Sequence, residues 1–121
     1  MTTETVRPTE IRLTKDRRTL IVSFEGGERH ELTAEFLRVM SPSAEVQGHS
    51  PAERRTVGGK RDVEIIGVEP VGNYAVRLKF DDLHDTGIYT WSHFAELGRD
   101  HDALWARHLE ELAAKGLKRE K

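Results

Sequence analysis

The sequence predicts an α+β domain, a small antiparallel β-sheet carrying two or three short helices. Three observations lead there. Apolar side chains fall at every second position in Ile11 and Leu13, in Leu20, Val22 and Phe24, and in Tyr74, Val76, Leu78 and Phe80, the period of half-buried strands. Turn-forming pairs, Gly26-Gly27 and Gly72-Asn73, stand between such runs. Near the C-terminus the period changes: Leu104, Trp105, His108, Leu109 and Leu112 recur at helical spacing.

In order, residues 1–8 read as a flexible lead, because Thr, Glu and Pro dominate without a packing period. Residues 9–116 form a single domain, and 117–121 a basic tail. The polar run Lys15-Asp16-Arg17-Arg18 is the turn between the first two strands, and Glu25-Gly26-Gly27-Glu28 is the second turn. A short third strand leads to Thr33, a helix N-cap with Leu32 and Leu37 spaced as a hydrophobic staple, and Pro42 stops that helix. Residues 41–62 are polar, broken by Pro and Gly, and basic at Arg54, Arg55, Lys60 and Arg61. They read either as a solvated mobile loop or as a docking loop. Val63, Ile65, Ile66 and Val68 are apolar on both parities, which predicts a central strand covered on both faces. After the Gly72-Asn73 hairpin and the Tyr74 to Phe80 strand comes an acidic turn. Ile88 and Tyr89 add a brief strand, Thr90 caps a helix that Gly98 ends, and Asp100 caps a last helix terminated by Gly116.

Composition excludes several functions. With no cysteine there is no disulfide, thiolate nucleophile or thiolate metal site. A net charge of -2 gives no bulk attraction to nucleic acid or membrane, and no apolar run approaches the ~18 residues of a membrane span. A cytoplasmic protein is expected.

The richest chemistry lies in residues 80–97. Asp82, His84 and Asp85 offer carboxylate and imidazole ligands suited to iron, zinc or manganese. The same residues equally suit a solvated turn, since Asp side chains bond their own backbone. Tyr89, Trp91 and Phe94 read as core or as a binding platform. His93 is expected to be a packed or capping histidine, and His101 and His108 lie too far apart along a helix to share a metal. His108-Leu109-Glu110 begins like an iron(II) facial triad but has no histidine downstream to complete it. No serine sits in a nucleophile elbow, and Gly58-Gly59-Lys60 lacks the phosphate-loop pattern.

Three ordered motifs carry a family resemblance: residues 37–46 (LRVMSPSAEV), 72–76 (GNYAV) and 81–91 (DDLHDTGIYTW). Over about residues 8 to 97 the chain resembles the gamma-butyrobetaine-hydroxylase-like N-terminal domain, whose standalone bacterial members have long been a domain of unknown function. In the hydroxylases the resemblance implies a structural zinc, held by a C-x-C-x-x-C run and a later histidine, ahead of an iron- and 2-oxoglutarate-dependent catalytic domain. Similar domains are attached to P-loop iron-sulfur carriers. Here Ser41, Ser43 and Val46 stand at the cysteine positions and only His84 matches, so zinc is not expected to bind. The chain has no room for the catalytic domain.

The resemblance therefore implies a non-catalytic accessory domain without a cofactor. It would act with another protein through Arg54, Arg55, Lys60, Arg61 and Trp91. The alternative is iron binding or iron-sulfur assembly through His84, Asp82 and Asp85.

Overall fold

Alternation in the first third of the chain builds one antiparallel meander, and the second hairpin builds another. The computed structural model describes residues 7–47 and 56–120. β1 (Pro8–Leu13), β2 (Thr19–Phe24) and β3 (Arg29–Thr33) form one three-stranded sheet in that order; β4 (Ile65–Val71), β5 (Ala75–Phe80) and β6 (Gly87–Thr90) form the second. The fold is α+β, with its described strands in two sheets rather than one.

α1 (Ala34–Val39) begins where expected, the Phe36 N–H donating to Thr33 Oγ1 at 3.1 Å. A one-turn helix, α2 (Ala44–Gln47), lies within the stretch expected to be loop; Arg54 and Arg55 fall outside the described residues. α3 (Trp91–Arg99) is capped by Thr90, which accepts from His93 N–H at 3.2 Å. The Tyr89 and Phe94 rings, which flank this cap at the positions of a hydrophobic staple, stack with centroids 5.5 Å apart. α4 (His101–Ala114) ends at Gly116, whose φ of +67° lets Leu117 N–H reach the Leu112 carbonyl at 2.8 Å.

Both sheets and the helices share one apolar cluster. Leu20, Val22, Phe36, Leu37, Ile65, Leu78, Phe80, Tyr89 and Phe94 in it are fully buried. Each such aromatic or aliphatic side chain contributes about 1.5–3 kcal/mol relative to exposure.

Four expectations fail for local reasons. β4 is an edge strand, not a central one: a bulge between Ile65 and Gly67 switches its inward parity from Val63 and Ile65 to Val68, which sits opposite Leu78 and packs against the core. Ile66, the extra residue, is left 51% exposed. Tyr74 sits in the hairpin tip, half exposed, and Ala75 replaces it in the interior. Gly98 lies inside α3 instead of ending it, because a Cβ there would come within 2.2 Å of the His30 ring; the glycine provides close approach of helix to sheet. Asp100 joins α3 to α4 without any side-chain capping bond, since its backbone already has near-helical angles.

The basic tail is docked on the domain. Gly59 N–H donates to the Lys118 carbonyl and Arg61 N–H to that of Arg119, while the Arg119 guanidinium grips the buried Glu35 carboxylate at 2.8 and 2.9 Å and covers the Trp105 ring. Removing Arg119 would take from the buried Glu35 carboxylate the guanidinium that covers it.

Candidate functional site

Where α1 runs out, the chain turns sharply and inserts Ser41 into the interior at 0% exposure. A buried hydroxyl needs partners. Ser41 Oγ lies 2.9 Å from His84 Nε2 and accepts the Ser43 N–H at 3.2 Å, and its carbonyl accepts from Gln47 Nε2 at 2.8 Å. Ser43 Oγ meets Thr86 Oγ1 at 2.6 Å, and the Ser43 carbonyl receives the Val46 and Gln47 N–H groups that start α2. Ser41, Ser43, Val46 and His84, the four positions to which the resemblance assigns zinc, are therefore gathered at one corner. Gly87 seals it: a Cβ at that position would stand 2.7 Å from Ser41 Oγ and 3.0 Å from the Tyr89 ring. The Tyr89 hydroxyl donates to the Leu37 carbonyl, and burial pushes its pKa up.

His84, 5% exposed, reaches the corner from the turn after β5. That turn is closed by Phe80 N–H to the His84 carbonyl at 2.9 Å and holds Leu83 at a φ of +73°. Asp82 Oδ1 accepts the His84 N–H, as an aspartate in a turn does, and Oδ2 accepts from Arg38 Nε at 2.8 Å and from Lys60 Nζ. Burial alone would raise the Asp82 pKa; the hydrogen bonds from Lys60, Arg38 and the His84 backbone outweigh it and hold the carboxyl at about 2. Asp85 is exposed. Asp82, His84 and Asp85 thus face different partners, and among the described residues no three His, Asp or Glu side chains are grouped to hold a metal.

The Ser41–His84 distance suits a nucleophile and its base, yet neither side chain is open to a reactant: both are sealed in the interior. Sequence spacing gave no sign of this pair, whose members lie 43 residues apart.

The expected interaction residues also separate. Trp91 is 9% exposed, packs in the core at the start of α3 and donates its indole N–H to the Asn73 carbonyl at 2.9 Å; its exposed edge lines a shallow pocket with β1. Lys60 is tied to Asp82, and exposed Arg61 pairs loosely with Glu120 at 3.7 Å.

One open feature escaped the sequence reading. Met40, Pro42 and Gln47 on one side and α3 and α4 on the other enclose a groove of about 420 Å3. Its lining includes the carboxylates of Glu96, Asp100 and Glu111, a single guanidinium from Arg107 that is bonded to Glu111 at 3.4 Å, and the apolar Leu97 and Leu104. His93 also lines it. Burial lowers the His93 pKa against the pull of Glu96 and a hydrogen bond with the Met40 carbonyl, and its buried Nε2 has no partner among the described residues. The i, i+4 spacing of Glu96 with Asp100 and of Arg107 with Glu111 was the available signal; only the packing of two helices turns it into a concave site.

A family model described as gamma-butyrobetaine hydroxylase-like, N-terminal, matches residues 11–95. Two proteins solved by NMR in solution are similar to the chain, at 46% and 42% identity with TM-scores of 0.84 and 0.82; the matches cover 97% and 98% of this chain and 92% and 90% of theirs. A crystal structure of a protein of unknown function from Acidithiobacillus ferrooxidans, belonging to the DUF971 family, is 39% identical over 76% of this chain and 92% of its own, with a TM-score of 0.64. No curated protein matches significantly.

Proposed function

The chain belongs to the gamma-butyrobetaine hydroxylase-like N-terminal family, and we propose that it is a non-catalytic accessory domain that binds another protein through the groove between the α1 exit and the α3–α4 pair. The observation that carries this reading is the division of its polar chemistry. The serine–histidine pair that could in principle react is buried, whereas the exposed Glu96 and Asp100 carboxylates line a groove of ligand-binding size. Among the described residues Glu96 and Asp100 give the groove exposed negative charge, and Leu97, Leu104, Met40 and Pro42 supply apolar walls. A lysine or arginine side chain, an aliphatic stem with a cationic head, matches both properties.

The reading is tested with fluorescently labelled peptides of opposite charge, Leu-Arg-Leu-Lys and Leu-Glu-Leu-Glu, followed by anisotropy. The basic peptide is expected to bind, more weakly as salt rises, and to lose binding to a Glu96→Lys/Asp100→Lys variant. Equal binding of both peptides, or binding unaffected by the charge reversal, would sink the proposal.

A further inference from the structure

The residues at the corner do not fit the zinc that the resemblance implies. Two neutral hydroxyls are poor ligands, Val46 supplies no donor atom, and the one imidazole nitrogen that would ligate, His84 Nε2, is hydrogen-bonded to Ser41 Oγ at 2.9 Å. We propose that this corner is a metal-free staple, in which the Ser41–His84 and Ser43–Thr86 bonds do the cross-linking that a bound ion would otherwise do.

Both bonds span 43 residues and tie the α1 exit to the turn that joins β5 to β6. A staple must hold two segments in one register. Here the register is fixed from each side: Gln47 and the α2 N–H groups hold the Ser41-Pro42-Ser43 turn, and Phe80 and Asp82 hold the His84 backbone. Ser41 and His84 are both buried, so breaking the bond between them costs a hydrogen bond in the interior, where it is worth more than at the surface. Gly87 completes the arrangement by leaving the space that Ser41 Oγ occupies.

Thermal unfolding of the wild type, Ser41→Ala, His84→Phe and the double variant tests the staple, each in chelator and then with zinc, iron(II) or manganese. The wild-type Tm is expected to be the same in all four conditions. Each single variant should melt lower, and the double variant no lower than the worse single, because each single change already breaks the same bond. A wild-type Tm raised by one of the metals would overturn the proposal, and so would additive losses in the variants. If the interior variants fail to fold, Thr86→Val, at the exposed end of the second bond, must lower the Tm without creating a metal response; an unchanged Tm would equally overturn it.

Discussion

The corner at Ser41 and the groove beside it share a wall, yet they treat polar groups in opposite ways. Pro42 and Gln47 line the groove, and the same Gln47 amide donates to the Ser41 carbonyl behind it. On the corner side Ser41, Ser43 and His84 are buried and hydrogen-bonded, Ser41 to His84 and Ser43 to Thr86. On the groove side, among the described residues, the Glu96 and Asp100 carboxylates are exposed. The difference teaches that histidine, serine and aspartate side chains in this chain are structural where they are paired and buried, whereas the binding role proposed for the groove depends on charge at an open surface.

The largest expected change would convert the corner rather than damage it. Restoring thiols with Ser41→Cys, Ser43→Cys and Val46→Cys beside His84 should create a zinc site, seen as one cobalt(II) per chain with thiolate charge-transfer bands and a Tm that rises with zinc; structural zinc sites supply on the order of 10 kcal/mol in small peptides. Absence of metal uptake by the folded triple variant would mean that the four positions are not held in ligand geometry. Next, Gly87→Ala should cost about 2–3 kcal/mol in denaturant unfolding, because its methyl group overlaps Ser41 Oγ and the Tyr89 ring. A neutral effect there would show the corner to be loosely packed.

Acid should then act on the corner's flank. Asp82 has a folded pKa of about 2 against an ordinary 3.8, so its contribution is complete above about pH 4 and is lost as pH falls toward 2. The shift corresponds to about 2 kcal/mol. Asp82→Asn should remove that part of the pH dependence; an acid-unfolding curve of unchanged steepness would contradict the pairing with Lys60 and Arg38. The smallest effect on stability belongs to the groove. Glu96→Lys/Asp100→Lys should change unfolding free energy by less than about 1 kcal/mol, since both positions are exposed.

Much of the fold was legible because its signals are local. The Thr33 and Thr90 caps, the Gly26-Gly27 turn and the Gly116 terminus each depend on a few adjacent residues, and each lies where the sequence puts it. The misreadings arose where geometry crosses the chain. Apolar residues on both parities of β4 looked like a doubly covered strand, but a single bulge produces the same pattern at a sheet edge. Gly98 looked like a helix terminator because its actual constraint, the His30 ring, lies 68 residues earlier and on a different element. Trp91 read as core or as binding platform because nothing in its own segment reveals that the Asn73 carbonyl accepts from its indole. The family motifs identified the corner positions, and only the coordinates show that hydrogen bonds join them. The groove had no motif, since its walls come from two stretches, residues 40–47 and 93–111, that lie far apart in the sequence.

The most direct measurement is a nitrogen–proton NMR titration of the wild-type protein with the basic peptide, read at both regions together. The account predicts shifts at Met40, Gln47, Glu96, Asp100 and Arg107, with the His84 and Thr86 amides unmoved. Shifts concentrated at His84 and Thr86, or no shifts in the groove at saturating peptide, would contradict the division of labour between the sealed corner and the open groove.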